Sequence, residues 1–277
     1  MLWLAAGLTV LDLNTTRQRE AVVKKLPKLL YRYRALGRPS SDRDSHDPDA
    51  IESDTFIRSA LYFPSRLQFN DKVDCLMPDM SHITDSRFRK LVRQRVYEEF
   101  KELPNANRGP YADSMNSFSR TTIERILQEG VDCLGILSLT TKPNNSVMWA
   151  WYANDHKGMC LGFDTSDEMF QAAHPITYLS KARRYTPGAH AANAKEFILT
   201  KKRGWKYEDE WRIITPVARQ LYPFKPDALK RVIFGIETSA RDRKKVERWI
   251  AQGSSQPRLF RAVLNKKSRA LDIVTLS

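Results

Sequence analysis

Segments typical of strands and segments typical of helices follow one another along this sequence in an irregular order. The apolar runs at 133–139, 159–163 and 231–235 have the length of buried strands. Residues 86–102 and 240–251 instead have the period of amphipathic helices. Doubly wound and barrel proteins alternate strand and helix regularly, and this sequence does not. It therefore predicts an α+β fold with one mixed, mainly antiparallel sheet flanked by helices.

The chain has 277 residues, enough for one domain with a sizeable core. We expect residues 29–277 to form that domain and residues 1–28 to be an N-terminal extension. The stretch near 86–130 is expected to be a helical insertion in the domain. The local pattern also predicts a strand over 55–63 and a helix over 195–202.

The sequence contains 46 Lys and Arg residues against 32 Asp and Glu residues, a formal net charge of +14. Much of this excess lies in three segments, 17–43, 181–206 and 258–269. Basic segments that a fold brings together attract polyanions. The charge therefore favours nucleic acid, a nucleotide or another anionic macromolecule as the partner.

Several common functional motifs are absent. The chain has no GxGxxG, GxxxxGK[ST], HExxH or GxSxG string, so nothing predicts a Rossmann site, a P-loop, a zincin or an α/β-hydrolase. Its three cysteines and five histidines are scattered, which predicts neither a disulfide framework nor a metal site. The apolar run at 2–11 is shorter than the roughly 20 residues of a membrane span. We expect a cytoplasmic protein without a metal or a membrane partner.

An aromatic segment after Asn145 has the composition of a pocket wall. On a helix capped by Asn145, Trp149 and Tyr152 lie three residues apart, and His156 lies one turn further along. The two aromatic surfaces and the imidazole would then share a face. The alternative is structural, with Trp149 in the core and Tyr152 as a buried phenol that has a hydrogen-bond partner.

Two carboxylates and a guanidinium recur every second residue in the segment 208–212. If this segment is a strand, Glu208, Glu210 and Arg212 point to one face. Glu210 would then stay ionised beside Arg212. The alternative is a modest ion pair on an exposed strand edge.

The segment 29–34 alternates in a way typical of a strand. Tyr31 and Tyr33 would lie on one face, with Arg32 and Arg34 on the other. The basic face could bind an anion, and a basic surface strand explains the pattern equally well.

Polar residues at 70–74 suit a turn in which Asn70 would hydrogen-bond the backbone. Asp71 and Asp74 could also face a site. We favour the turn.

These strings occur in an order that resembles the bacterial domain of unknown function family 2971. The resemblance covers about residues 29–265, and its middle strings are the most specific. Lys72 departs from the pattern, because the family often has proline there. The resemblance rests on Tyr31-x-Tyr33, Phe69-Asn70-Asp71-x-x-Asp74, Met148-Trp149-x-x-Tyr152-x-x-x-His156-Lys157-Gly158-x-x-Leu161-Gly162-Phe163, Tyr178, Lys202-x-x-Trp205-x-Tyr207-Glu208-x-Glu210-Trp211-Arg212 and Val232-Ile233-x-Gly235.

The order of these elements is also similar to that of ADP-ribosyltransferases, which have an early basic strand, a central aromatic element and a late Glu-x-Glu strand. This similarity implies that Glu210 stabilises the oxocarbenium-like state formed when the nicotinamide bond of NAD breaks, while Glu208 orients or activates the acceptor. Trp149 and Tyr152 would stack on nicotinamide. The residues that would bind NAD as substrate are Arg32, Tyr33, Trp149, Tyr152, His156 and Lys157.

The sequence leaves three functions open. One is an NAD-dependent ADP-ribosyltransferase or NAD glycohydrolase, in phage defence or a toxin system, with an unidentified acceptor. Another is a non-catalytic nucleic-acid-binding protein. The third is a nucleic-acid hydrolase with Mg²⁺ bound among Asp71, Asp74, Glu208, Glu210 and a lysine such as Lys202. Both enzyme hypotheses, the NAD-cleaving enzyme and the hydrolase, need Glu210, Tyr152 and Arg32 to line one cleft.

Overall fold

A central sheet of eight strands organises the fold in a computed structural model that describes residues 24–36, 48–76, 81–90, 120–181 and 197–276. Twelve strands are found in these residues: β1 (Leu29–Arg34), β2 (Ala60–Phe63), β3 (Gly135–Thr140), β4 (Met159–Asp164), β5 (His174–Pro175), β6 (Thr177–Leu179), β7 (Thr200–Lys202), β8 (Glu210–Thr215), β9 (Gln220–Pro223), β10 (Leu229–Phe234), β11 (Arg258–Asn265) and β12 (Ala270–Thr275). The α-helices are α1 (Pro48–Ile57), α2 (Arg120–Asp132), α3 (Ser146–Tyr152), α4 (Glu168–Gln171) and α5 (Ala240–Gln252).

The strand order in the large sheet is β12-β11-β10-β4-β1-β3-β8-β5. Its neighbouring strands are antiparallel except for β10 and β11, which are parallel and are joined through α5. Two small sheets, β2-β9 and β6-β7, flank it. The predicted α+β fold with a mixed, mainly antiparallel sheet is confirmed.

The two faces of the sheet are buried by different elements, and β1 shows the division. Leu30 points into a large core that also contains Phe56 of α1 and Val246 of α5. Tyr31 and Tyr33 point to the opposite face, against residues of α3. This is the alternation that the sequence predicts for 29–34.

The sheet has a local opening between β1 and β3. Only one residue pair, Tyr31 with Thr140, aligns these two strands, whereas β1 and β4 align along their whole length. Towards its start, β3 moves away from β1, and the Ile136 amide donates instead to the Pro64 carbonyl over 2.9 Å. The separation leaves room for a cavity inside the sheet.

Two predicted elements differ from the structure. The strand predicted over 55–63 is wrong in its first half, because α1 continues to Ile57 and only Ala60–Phe63 is a strand. Phe56 is held in the helix by packing against Trp249, with ring centroids 5.9 Å apart. Tertiary packing therefore overrides the local strand propensity.

The helix predicted over 195–202 is also wrong at its C-terminal end. Residues 195 and 196 lie outside the described residues, 197–198 are helical, and Thr200–Lys202 forms β7, parallel to β6. This pairing aligns Lys201 with Tyr178. A three-residue strand is too short to give a period in the sequence.

Parts of the predicted extension and insertion are described. Residues 24–28 lie against the domain, where the Lys28 carbonyl accepts from the Thr165 amide, while 1–23 lie outside the described residues. Residues 85–90 and α2 are helical, and 91–119 again lie outside. Among the helices described, none is long and apolar enough to cross a membrane.

The end of β10 offers a test of the packing. A Cβ atom on Gly235 would lie 1.9 Å from the His156 carbonyl oxygen. We expect Gly235→Ala to lower the free energy of unfolding by about 1–3 kcal/mol, because the two backbones must move apart. Urea denaturation measures the change.

Gly130 of α2 provides the control, since its Cβ would meet nothing within 4 Å. Gly130→Ala should leave the free energy of unfolding unchanged or raise it by up to about 1 kcal/mol. Equal losses in the two variants would contradict the close approach at Gly235.

Candidate active site

A cavity of about 240 Å³ lies where β1 and β3 separate. Residues of both strands line it, together with side chains from α3, β7, the start of β8 and the segment after β2. Glu210, Tyr152 and Arg32 are all in this lining. The geometric requirement of the enzyme hypotheses is therefore met.

A turn in an uncommon conformation directs two carboxylates into this cavity. Glu208 ends a 3₁₀ helix, Asp209 has φ 42° and ψ 52°, and β8 begins at Glu210. The strand starts after Glu208, so the condition that would place Glu208 on a strand face with Glu210 and Arg212 is not met. Asp is one of the few residue types that adopt the left-handed region readily, and its carboxylate accepts from Thr141 and Lys24.

Lys201 brings the carboxylates together. Its ammonium lies 2.7 Å from Glu208 Oε2, 3.0 Å from Glu210 Oε2 and 3.5 Å from Asp74 Oδ2. Burial alone would lower the pKa of Lys201, but the three carboxylates outweigh it and raise the pKa. The lysine among the carboxylates is therefore Lys201, and the neighbouring Lys202 is exposed.

Arg212 completes the cluster from β8. It is fully buried, and it donates from Nε to Glu210 Oε1 over 2.6 Å and from Nη2 to Asp74 Oδ2 over 2.6 Å. A third bond runs from Nη1 to the Ile198 carbonyl over 2.6 Å. The exposed ion pair considered for this segment is wrong, because Glu210 and Arg212 form a buried pair.

The 70–74 segment combines a turn with a site residue. Asp71 accepts a hydrogen bond from the Val73 amide over 3.0 Å, so the predicted turn is present. The side chain that bonds the backbone is Asp71, not Asn70 as we predicted. Asp74 belongs to the same turn, since its amide donates to the Asp71 carbonyl over 3.2 Å, and its carboxylate also bonds Arg212. Both aspartates line the cavity.

The two glutamates have opposite pKa shifts. Burial, reinforced by the charge of Glu210, raises the pKa of Glu208 above its ordinary 4.5 despite Lys201 and the Tyr152 hydrogen bond. Burial also acts to raise the pKa of Glu210, but Arg212 and Lys201 outweigh it and lower the pKa to about 2. Two carboxyl groups whose pKa values differ in this way provide a fixed anion beside a group that can exchange a proton.

One residue of the predicted aromatic set, Tyr152, lines the cavity. Tyr152 donates from its hydroxyl to Glu208 Oε1 over 2.6 Å. Trp149 is fully buried, and its indole Nε1 donates to the Pro143 carbonyl over 2.9 Å. For Trp149 the structural alternative is therefore the one observed, and a role in stacking on nicotinamide has no support from its position.

His156 and Lys157 lie outside the cavity. The His156 ring stacks on Trp149 with ring centroids 6.2 Å apart, and Lys157 is exposed. Neither belongs to the cavity lining found in the described part of the chain. The NAD-binding role predicted for these two residues is not supported by their placement.

Arg32 and Tyr33 do line the cavity. Arg32 is 8% exposed, and the one acceptor it meets in the described ranges is the Tyr62 carbonyl, over 3.3 and 3.4 Å. No carboxylate of the described residues is within ion-pair distance of it, whereas Arg34 pairs with Glu52. Burial and repulsion from Arg34 lower the pKa of Arg32 to about 9, so the guanidinium is still charged at neutral pH.

Several lining residues were not among the candidates predicted from the sequence. Ser138 and Thr140 recur at a spacing of two in an otherwise apolar strand, which is a signal for a polar site face. Trp205 also lines the cavity, and the Lys201 ammonium lies 5.0 Å from its ring centroid. Lys201 itself gave no signal, because its strand forms only by pairing with β6, which is distant in sequence.

Within the described ranges, no group of three His, Cys, Asp or Glu side chains is arranged to hold a metal ion. A comparison of the chain with protein-family models, with curated proteins and with solved structures gives no match. The resemblance to family 2971 therefore stays a prediction.

The buried cluster predicts a large loss of stability when its central cation is removed. Arg212→Met leaves the Asp74 and Glu210 carboxylates with Lys201 alone, and we expect the free energy of unfolding to fall by about 3–5 kcal/mol. Urea denaturation at neutral pH measures it. Arg125→Met, which breaks the exposed pair with Glu129 on α2, is the control and should cost at most about 0.5 kcal/mol.

Proposed function

We propose that the protein cleaves the nicotinamide glycosidic bond of NAD, as an ADP-ribosyltransferase or an NAD glycohydrolase. The observation that carries the proposal is the carboxylate pair Glu208 and Glu210, which has opposite pKa shifts and shares Lys201 at one cavity with Arg32.

The charge distribution of the cavity matches a dipolar substrate. On one wall, three carboxylates face two cations, so the ionised cluster carries one excess negative charge. On the β1 wall, Arg32 is a buried cation without a carboxylate partner among the described residues. NAD has a cationic nicotinamide ring and an anionic pyrophosphate, which suit the acidic and basic walls respectively.

Glu210 is suited to electrostatic stabilisation. Its low pKa keeps it ionised, and Arg212 fixes its position. Positive charge develops on the ribose as the bond to nicotinamide lengthens, and a carboxylate held at that place stabilises it without reorganising.

Glu208 is suited to proton transfer, since its raised pKa moves it towards the range in which a general base works at neutral pH. Water or an acceptor N–H or O–H gives its proton to Glu208. The acceptor's electron pair forms the new bond to ribose C1′, while the old bonding pair leaves with nicotinamide.

The placement of Lys201 favours this chemistry over the metal-dependent hydrolase. In that alternative, Mg²⁺ would lie where Asp74, Glu208 and Glu210 converge. The Lys201 ammonium lies at this point and supplies the positive charge that keeps the carboxylates together.

NAD cleavage can be tested directly. Purified protein incubated with NAD should release nicotinamide, and Glu208→Gln should lower that rate about 100-fold or more, since general-base catalysis contributes at least this much. Chromatography of nicotinamide measures the rate.

The matched control is Glu129→Gln on the exposed face of α2, which makes the same chemical change outside the cavity and should leave the rate unaltered. If the wild-type protein releases no nicotinamide and transfers no label from NAD to any macromolecule of a cell extract, the proposal fails.

The Tyr152 hydroxyl gives a pH test. Its hydrogen bond lowers the pKa of Glu208, so Tyr152→Phe should raise that pKa further. Glu208 would then be protonated, and lost as a base, at a higher pH. We expect the acidic limb of the pH–rate profile for nicotinamide release to move upwards.

Tyr222→Phe is the control, because the Tyr222 hydroxyl bonds the Val217 carbonyl away from the cavity. Its profile should superimpose on that of the wild type. An acidic limb that stays in place in Tyr152→Phe would show that Glu208 does not set it.

A further inference from the structure

The strand register extends the candidate site into a line across the sheet. Residues paired between neighbouring strands have their side chains on the same face. One such row starts at the carboxylate cavity and crosses six strands, from β8 to β11. Its members are Glu210, Thr140, Tyr31, Gly162, Arg231 and Arg258.

Gly162 lets the row stay continuous. A Cβ atom there would lie 2.8 Å from the Tyr31 ring and 3.1 Å from the Cβ of Arg231, so only glycine lets these two side chains approach each other. The Arg231 guanidinium donates to the Tyr31 hydroxyl over 3.4 Å. Tyr31 lines the cavity, and Arg231 is therefore in contact with its wall.

Arg231 and Arg258 form a pair of cations oriented by one aromatic ring. Their guanidinium carbons lie 5.2 and 6.0 Å from the Phe260 ring centroid. Within the described chain, neither guanidinium has a carboxylate at ion-pair distance. Packing on Phe260 limits the freedom of both side chains, so less entropy is lost when they bind an anion.

We propose that Arg231 and Arg258, at the solvent-accessible end of this row, bind the phosphates of a single-stranded nucleic acid that reaches the carboxylate cavity over the side chains covering the buried middle of the row. The claim that this nucleic acid is the ADP-ribose acceptor rests on the proposed function. The claim that the two arginines bind the nucleic acid does not. The arginine pair is called the phosphate surface below.

Distance and charge favour a nucleic-acid strand. Four strand spacings separate Arg231 from Glu210, roughly 19 Å at about 4.8 Å each, which corresponds to about six stacked nucleotides. A mononucleotide is too short to reach both places.

An acidic peptide would bring carboxylates to the excess negative charge of Glu208 and Glu210. A nucleic-acid strand can instead place an uncharged base or hydroxyl there while its phosphates stay at the phosphate surface.

The test uses the full chain and a fluorescent single-stranded oligodeoxythymidine of about 20 nucleotides, long enough to span the row several times. The variant Arg231→Gln/Arg258→Gln should raise the dissociation constant about tenfold. It should also reduce the slope of log affinity against log salt by about 1.4, because each phosphate contact on a single strand contributes about 0.7. Fluorescence anisotropy over a salt series measures both.

Lys230→Gln/Arg261→Gln is the matched control. It removes the same charge from the same two strands, but Lys230 and Arg261 are exposed and alternate with the row residues, and Arg261 pairs with Phe234 of the opposite core. This variant should bind within about twofold of the wild type. Equal weakening of both double variants would show a response to net charge alone and would overturn the proposal.

Two further outcomes are decisive. If a polyglutamate of equal charge displaces the oligonucleotide equally well, the surface does not select nucleic acid and the proposal is wrong. Absence of binding by the wild-type protein also overturns it. Because binding is measured without NAD, a protein that binds through the arginine pair but never releases nicotinamide would retain this surface and lose the proposed function.

Discussion

The buried cluster of three carboxylates and two cations is the interaction on which the rest of the site depends. Charges removed from water are tolerated only when they are paired and hydrogen-bonded, so Lys201 and Arg212 fix where Asp74, Glu208 and Glu210 can lie. The cluster joins β7, β8 and the segment after β2. The segment after β2, which is distant in sequence from β7 and β8, must therefore be in place before the cavity has its acidic wall.

The opening between β1 and β3 explains why one cavity contains residues from both sides of the sheet. Arg32 and Tyr33 point to opposite faces of β1, yet both reach the cavity because β3 moves away beside them. A continuous sheet would have placed the basic and aromatic residues of β1 in separate layers. The loss of ladder hydrogen bonds on this side is partly offset by the bond from Ile136 to Pro64.

Sequence reasoning predicted the parts of the fold whose signals are local. The cap at Asn145, the strands around Cys160 and Ile233, and helix α5 follow from capping and apolar period. It failed where partners are distant in sequence. Thr200–Lys202 is a strand only because β6 lies beside it, and Lys201 on that strand contacts Glu208, Glu210 and the distant Asp74.

The same limit applies to Trp149, which the pattern could place on a face with Tyr152 but could not assign to the core. The order of the Glu-x-Glu string and the arginine two residues later was enough to identify the acidic wall. Contact with Arg212 separates the pKa values of the two buried glutamates, because only Glu210 bonds it, and that contact is a property of the whole fold.

The turn at Asp209 has a mechanical consequence. Thr140 and Thr141 at the end of β3 donate to the Glu208 carbonyl and the Asp209 carboxylate, which anchors the turn to β3. Lys24, which precedes β1, bonds the same Asp209 carboxylate. The turn is therefore anchored to the chain on both sides of the opening between β1 and β3. The backbone that carries the two glutamates is held from both sides, so it resists a ligand that would push the acidic wall outwards.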